Sequence, residues 1–360
     1  MKRKLFYLIA VSVPLLVWSC GGKDPLPDLI PPPTPSGGEQ GGQGGQGGGS
    51  EGSGGGTETH PWDANRGKEV YPSGTGWTST KIEDGIRYFT FSGTDPVTKS
   101  PQRVFVSDID LSNTDYSVKL ALYDNRSTAS AVMKDKKAIV TMNAGYERES
   151  IVIRVDGRTA FMMPNSTIGT TGVPNWKNEG CVMLDGKRDV RFDYTGKSLS
   201  YADQQKAYMK LAPTVPNLLS SAPMLIFDYE PVGESFVTRY PKQSSNSEDP
   251  YVHQSTNTHP RTVIAKNEFN HLLLVVIDGR RSKVSRGMSA AEVTQFLVTN
   301  FNAQYALNLD GGGSSTMCVQ GQGDPSTHVV NYPTDSDEVK DVPDHTGERS
   351  VPTFFYVVKN

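Results

Sequence analysis

The chain has 360 residues with nearly balanced charge, 36 Lys and Arg against 39 Asp and Glu, for a formal net charge of −3. That balance excludes the basic excess of a nucleic-acid binder. Hydrophobic residues make up only 36 %, a figure diluted by a glycine-rich N-terminal part, and the remainder is long enough for a sizeable core.

The first twenty residues read as an export signal. "MKRKLFYLIAVSVPLLVWSC" opens with Lys2, Arg3 and Lys4, runs apolar to Trp18 and closes on Ser19-Cys20. The run is short and Pro14 interrupts it, which favours a signal peptide over a permanent spanning helix. A small residue directly before a cysteine resembles a bacterial lipoprotein cleavage box. It implies that Cys20 is lipidated and that the protein sits on the cell envelope, at its periplasmic face or the cell surface. Residues 21–56 are Pro-rich and then Gly/Gln/Ser-rich, and neither composition can bury a core. They read as a disordered tether, spanning roughly 35 Å root-mean-square if flexible.

Composition turns globular at Thr57. No repeat or second linker follows, so 57–360 reads as a single domain. Short apolar runs bounded by turn residues dominate it. "RVFVSDIDL" (103–111) and "YSVKLALY" (116–123) read as strands joined by the turn "SNTD". "AIVTM" (138–142), "SIVIRVDG" (150–157), "CVMLDG" (181–186) and "MLIFD" (224–228) follow in the same style. Two of these end in Asp-Gly, which is hairpin-turn chemistry. "HLLLVVIDG" (271–279) is apolar throughout, as for a central strand buried on both faces. "FFYVV" (354–358) is the last strand. One helix is clear in "GMSAAEVTQFLVTNF": Ser289 and Glu292 form a capping box, and Ala291, Val293, Phe296, Leu297 and Phe301 make an apolar stripe. A weaker helix covers "YADQQKAYMKLA" (201–212). Many strands with few helices predict an α+β fold, a mixed or antiparallel β-sheet core with a few flanking helices.

The stretch with the most chemistry is "NLDGGGSSTM" (308–317). It lacks the lysine of a phosphate-binding loop, and Thr316 stands where a dinucleotide fingerprint needs its third glycine. Neither serine sits in a Gly-x-Ser-x-Gly elbow, and one acid is too few for a calcium loop. What remains is a strand, an acid, an open loop with exposable N–H groups, and three hydroxyls. Gly311, Gly312 and Gly313 let a ligand approach the backbone closely, and consecutive N–H groups can cradle an anion.

The same stretch, "LNLDGGGSSTM", resembles the signature of the phosphodiester glycosidase family. "NAGY" (143–146), "SAPMLIFD" (221–228), "HPRTVIA" (259–265), "LLLVVIDGR" followed by "GMSAAEVTQFL", and "ERSVP" (348–352) are similar to further elements of that family, in its order. The resemblance runs from about Ala138 to the C-terminus. Two positions depart from it: Glu147 stands where the family usually has an aromatic residue, and Ala222 where glycine is usual. The resemblance implies a hydrolase that removes a sugar, such as N-acetylglucosamine, from a sugar-1-phosphodiester.

The residues fit that chemistry. Ordinary glycosidases need an acid to protonate a poor leaving group. A phosphate ester is a weak base and leaves with little help, so one carboxylate suffices. Asp310 and Asp278 each follow an apolar strand and are the candidate catalytic acids. Arg261, Arg280 and Arg349 are candidate phosphate partners. Asn143, Thr262, Asn308, Ser314, Ser315 and Thr316 are candidates for sugar hydroxyls or phosphate oxygens. Each also has a structural reading: Asp278 and Arg280 in a turn, Asn143 at a strand end, Asp310 holding its own loop. His253 and His259 lie in or beside a long polar loop, without companion ligands, so neither a metal nor any other cofactor is expected. Cys181 and Cys318 remain in an exported domain, where a bridge and two buried thiols are both open outcomes. Two further readings stand beside the glycosidase: a non-catalytic glycan-binding lipoprotein, and a hydrolase of another envelope phosphoglycan.

Overall fold

The computed structural model describes residues 67–162, 176–194, 201–233, 257–335 and 344–360. The signal segment, Cys20, the tether and His253 lie outside them. In chain order the strands and helices are β1 (Trp77–Glu83), β2 (Ile86–Thr94), β3 (Pro101–Asp110), β4 (Tyr116–Ser127), α1 (Ala129–Lys136), β5 (Val140–Asn143), β6 (Ile153–Val155), β7 (Arg158–Phe161), β8 (Gly180–Leu184) and β9 (Val190–Tyr194). They continue with α2 (Tyr201–Leu211), β10 (Asn217–Ser221), β11 (Met224–Phe227), β12 (Arg261–Lys266), β13 (His271–Ile277), α3 (Ala290–Phe301), β14 (Tyr305–Asn308), β15 (Met317–Val319) and β16 (Val351–Lys359).

The described strands form three sheets: seven strands in the order β1-β2-β3-β13-β12-β14-β11, five in the order β7-β6-β10-β8-β9, and four in the order β15-β5-β16-β4. Every pairing is antiparallel. With three helices on the sheets among the described residues, this is the α+β class. The described residues all fall in one compact unit.

Alternation along β13 shows how the layers arise. Leu272, Leu274 and Val276 enter a core shared with Val140, Met142 and Phe355 of the four-stranded sheet and with Val182, Leu184 and Leu219 of the five-stranded sheet. Leu273, Val275 and Ile277 point the other way, onto Val293, Phe296, Leu297 and Phe301 of α3. A strand buried on both faces has no reason to alternate polar with apolar, which is why the run reads as continuous. The other two sheets follow the same scheme: α1 packs on the outer face of the four-stranded sheet and α2 on that of the five-stranded one.

Local signals act where the sequence places them. Ser289 Oγ accepts from Glu292 N at 3.4 Å, and Ser289 N donates to Glu292 Oε2 at 2.9 Å. The helix stops at Asn302, which adopts the left-handed conformation at φ 47°. Asp185 organises the β8–β9 turn, accepting from the N–H groups of Lys187 and Asp189 at 2.7 and 3.0 Å. The β1–β2 hairpin and α1 have no counterpart in the sequence reading; α1 is only 8 residues long and carries little apolar periodicity. Cys181 and Cys318 are free, buried thiols under different helices, so they do not bridge. Burial raises both thiols well above their ordinary range. Among the described residues no helix is long and apolar enough to cross a membrane.

Candidate active site

The ends of four strands from two sheets meet at one place. β12 lies between β13 and β14, so Arg261 at its start faces Ile277, and Val263 faces Asn308. β5 of the four-stranded sheet ends beside them. Leu309 N donates to Thr262 O at 2.8 Å, and Asp310 N crosses to Ala144 O at 2.9 Å. The two sheets are thereby tied together immediately before the glycines.

Beneath the loop runs a buried polar network. Asn143 Nδ2 donates to Asp310 O at 2.7 Å, while its Oδ1 accepts from Thr262 Oγ1 and Thr316 N, both at 3.0 Å. Thr262 Oγ1 lies 3.1 Å from Ser315 Oγ. Asn308 Nδ2 donates to Leu309 O at 2.8 Å and Ala222 O at 3.0 Å, and Tyr146 Oη donates to the same Ala222 carbonyl at 2.9 Å. Asn143, Thr262, Asn308, Ser315 and Thr316 are each at most 2 % exposed. They hold the loop from below and do not line the cleft above it.

That cleft has a volume of about 190 Å³ and is lined by Tyr146, Glu147, Lys177, His259, Pro260, Arg261, Arg280, Asp310, Gly311, Gly312, Gly313 and Arg349. Gly311 is required by contact, since a Cβ there would sit 2.6 Å from the Pro260 carbonyl oxygen, while its two neighbours face side-chain tips. Gly312 has φ +63°, and a Cβ there would sit 3.0 Å from Arg280 Nη2. A Cβ on Gly313 would land on Arg349 Nη2 and Asp335 Oδ1. Among the described residues, the N–H groups of Gly311 and Gly313 donate to no backbone carbonyl.

Asp310 is half-buried and reaches the cleft. Burial pushes its carboxyl up to about 7; a hydrogen bond from Ser314 opposes this, the Glu147 carboxylate adds to it, and Arg349 and Lys177 oppose it. Cations dominate the walls. Arg349 grips Asp335 with Nε at 2.6 Å and Nη2 at 2.9 Å, and its Nη1 lies 3.5 Å from Ser314 Oγ. Arg280 donates to His259 Nδ1 at 3.4 Å, and burial together with neighbouring Arg349 lowers its pKa. Arg261 donates from Nε to Met288 O at 2.7 Å and from Nη2 to Asn257 O at 3.1 Å. Burial lowers it to about 10. Lys177 Nζ is 3.5 Å from Glu147 Oε2 and 5.2 Å from the Tyr146 ring centre.

Asp278 is elsewhere. It is 3 % exposed and is absent from the cleft lining. Its Oδ1 accepts from Asn331 Nδ2 and Tyr332 N, both at 3.2 Å, and its Oδ2 from Tyr332 N at the same distance. Asn331 in turn donates to Ser315 O at 2.9 Å and accepts from Met317 N at 2.9 Å. Asp278 thus pins the segment that steadies the far end of the glycine loop. Burial pushes its carboxyl up to about 7 as well.

The structure therefore gathers Asp310, Arg261, Arg280, Arg349 and Gly311–Gly313 in one cleft, with Ser314 hydrogen-bonded to Asp310 from behind. The sequence reading did not name Lys177, and the cleft acquires it, together with Tyr146 and Glu147. Tyr146 and Glu147 had a signal, since they complete and follow "NAGY"; Lys177, in "NWKNEG", had none. Among the described residues no group of three or more His, Cys, Asp or Glu side chains is placed to hold a metal ion.

The sequence pattern described as phosphodiester glycosidase matches residues 136–358, which include every wall of this cleft. The chain belongs to the phosphodiester glycosidase family. The catalytic domain of zebrafish N-acetylglucosamine-1-phosphodiester alpha-N-acetylglucosaminidase has a similar fold, with a TM-score of 0.51 at 18 % identity, covering 81 % of this chain and 87 % of that one. A protein from Burkholderia pseudomallei reaches a TM-score of 0.53 at 12 % identity, covering 81 % of this chain and 99 % of that one. At such identities the likeness is one of fold. No curated protein matches the sequence.

Proposed function

We propose that this phosphodiester glycosidase hydrolyses a sugar-1-phosphodiester, with an N-acetylglucosamine-like sugar, and that Asp310 is the carboxylate acting at the anomeric carbon. The observation that carries the reading is the cleft itself: an ionisable carboxyl between cationic walls and glycine N–H groups. Ionised Asp310 attacks the anomeric carbon or takes the proton of an attacking water. The bond between that carbon and the phosphate oxygen breaks, and the phosphomonoester departs with the bonding electron pair. Arg280, Arg349 and the N–H groups of Gly311 and Gly313 meet that developing charge. Arg261, charged and buried beside them, adds to the positive field. Water supplies the hydroxyl of the released sugar.

Supplying a panel of sugar-1-phosphodiesters and measuring free sugar tests the reading. Release of sugar and phosphomonoester in equal amounts is the expected outcome. Binding without release would favour the glycan-binding reading, and release of an alcohol with a sugar-1-phosphate would mean phosphoester cleavage instead.

The same proposal places the enzyme on the bacterial envelope, lipidated at Cys20 and held off the membrane by the tether of residues 21–56. The basic, apolar and Ser19-Cys20 order motivates it. Mass spectrometry of the native protein should find acyl chains on an N-terminal Cys20; a mature N-terminus elsewhere would overturn the anchor.

A further inference from the structure

Two contiguous walls meet Asp310. On one, Gly312 packs against Arg280 and Gly313 against Arg349. On the other, Lys177 joins Glu147 and the Tyr146 ring. Groups from both walls act on the Asp310 carboxyl. The phosphate chemistry uses the first wall and leaves the second without a role.

We propose that Glu147 and Lys177 form the sugar-recognition wall of the cleft and select a sugar ring with two adjacent free hydroxyls. The inference rests on the glycosidase reading, which puts the phosphate on the arginine-glycine wall and the anomeric carbon at Asp310. The ring then extends away from the phosphate, toward Glu147 and Lys177. A carboxylate only accepts hydrogen bonds and an ammonium only donates them. With Oε2 and Nζ 3.5 Å apart, one hydroxyl donates to Glu147 while its neighbour accepts from Lys177. Charge points the same way. A carboxylate beside a phosphate site weakens anion binding, so Glu147 serves a part of the ligand that carries donors and no negative charge.

Both side chains stand on fixed backbone. The Glu147 carbonyl accepts from Ser150 N at 2.9 Å and Ser150 Oγ at 2.8 Å. Lys177 lies between Trp176 and Asn178, both buried; Asn178 Oδ1 accepts from Val152 N at 3.1 Å and Ser220 Oγ at 2.5 Å. Both side chains line the cleft, that of Glu147 58 % exposed and that of Lys177 16 %. Tyr146 and Trp176 are 4 % and 2 % exposed, so a sugar meets the charged tips and not a stacking face.

The test uses a non-hydrolysable probe, a C-glycosyl phosphonate monoester of N-acetylglucosamine, with its 3-deoxy and 4-deoxy analogues. Calorimetry measures their binding to the wild-type protein, Glu147→Gln and Lys177→Met, with thermal unfolding as a check on folding. Loss of either hydroxyl should weaken wild-type binding about tenfold or more. Glu147→Gln should bind the parent probe about tenfold more weakly and no longer distinguish it from the analogue lacking its partner hydroxyl. Deoxy probes that bind wild type as well as the parent, or a Glu147→Gln loss equal on all three probes, would overturn the sugar wall. Sugar release from a hydrolysable diester is scored separately. Release without hydroxyl dependence defeats this inference alone, hydroxyl-dependent binding without release defeats the catalytic reading alone, and no binding of any probe together with no release defeats both.

Discussion

Asp278 and Asp310 each follow a buried strand, each precede a glycine, and burial pushes each carboxyl up to about 7. Around them the molecule differs. Asp310 opens onto a cleft walled by arginines and a lysine, with one hydrogen bond from Ser314. Asp278 is closed in by Asn331 and the Tyr332 N–H, and two neighbouring arginines, Arg281 and Arg103, act on it at longer range. A raised carboxyl pKa reports burial and does not by itself report a reaction. What separates the two is whether a substrate atom has room to reach the oxygen.

The largest expected effect falls on Asp310→Asn. Removing the charge at constant shape should lower kcat by about a thousandfold or more. Its stability should not fall. A carboxyl raised in the fold binds its proton more tightly than in the unfolded chain, so stability is lost as pH rises from about 4 to about 7. The amide removes that loss, and thermal unfolding at pH 8 should show an unchanged or higher midpoint. Near wild-type turnover in a folded Asp310→Asn protein would erase the distinction and move attention to Asp278.

Arg261 lies where the two regions touch, with Pro260 next to both Gly279 and Gly311. Lysine cannot donate to Met288 O and Asn257 O from a planar fork. Arg261→Lys should therefore cost roughly ten- to a hundredfold in kcat/KM toward phosphodiesters. A change confined to stability, with kcat/KM intact, would assign Arg261 to the scaffold alone.

Asp278→Asn sharpens the contrast from the other side. The new amide turns a donor toward Asn331 Nδ2 or Tyr332 N, which already donate there. The expected cost is about 1–3 kcal/mol of stability, read by denaturant unfolding, with kcat per folded molecule within about tenfold of wild type. A kcat loss as deep as that of Asp310→Asn would break the comparison.

The smallest effect is in the pH profile. Because Asp310 must ionise to act, kcat/KM should rise with pH around a midpoint of about 7. Glu147 is the like charge that raises Asp310, while Arg349 and Lys177 lower it. Glu147→Gln should shift the midpoint to lower pH, and loss of the Lys177 charge should shift it higher. A flat profile between about pH 5 and 8 would show that another group carries the reaction.

Much of this was legible one segment at a time. The capping box of Ser289 and Glu292, the doubly buried run of β13 and the open loop after Asp310 are local: each depends on residues a few positions apart, whose steric and hydrogen-bonding preferences act before any tertiary contact forms. The roles within the site were less legible. Asn143, Thr262, Asn308 and Ser315 carry hydroxyls and amides suited to a sugar, yet buried partners consume them beneath the loop, and the Thr316 hydroxyl is buried there as well. Composition cannot tell a ligand-facing hydroxyl from a buried one, because the difference is which side of the backbone the packed sheets leave open.

By itself the sequence determined the sheet-rich α+β class, the capped helix after Ser289 and the position of the glycine loop, since periodicity, caps and turn residues encode short-range geometry. Tertiary structure alone decided that Asp310 faces a cleft and Asp278 does not, that Lys177 comes to rest 3.5 Å from Glu147, and that Cys181 and Cys318 stay apart. Those outcomes depend on strand order and register across three sheets, where pairings between distant segments place side chains that no local pattern connects.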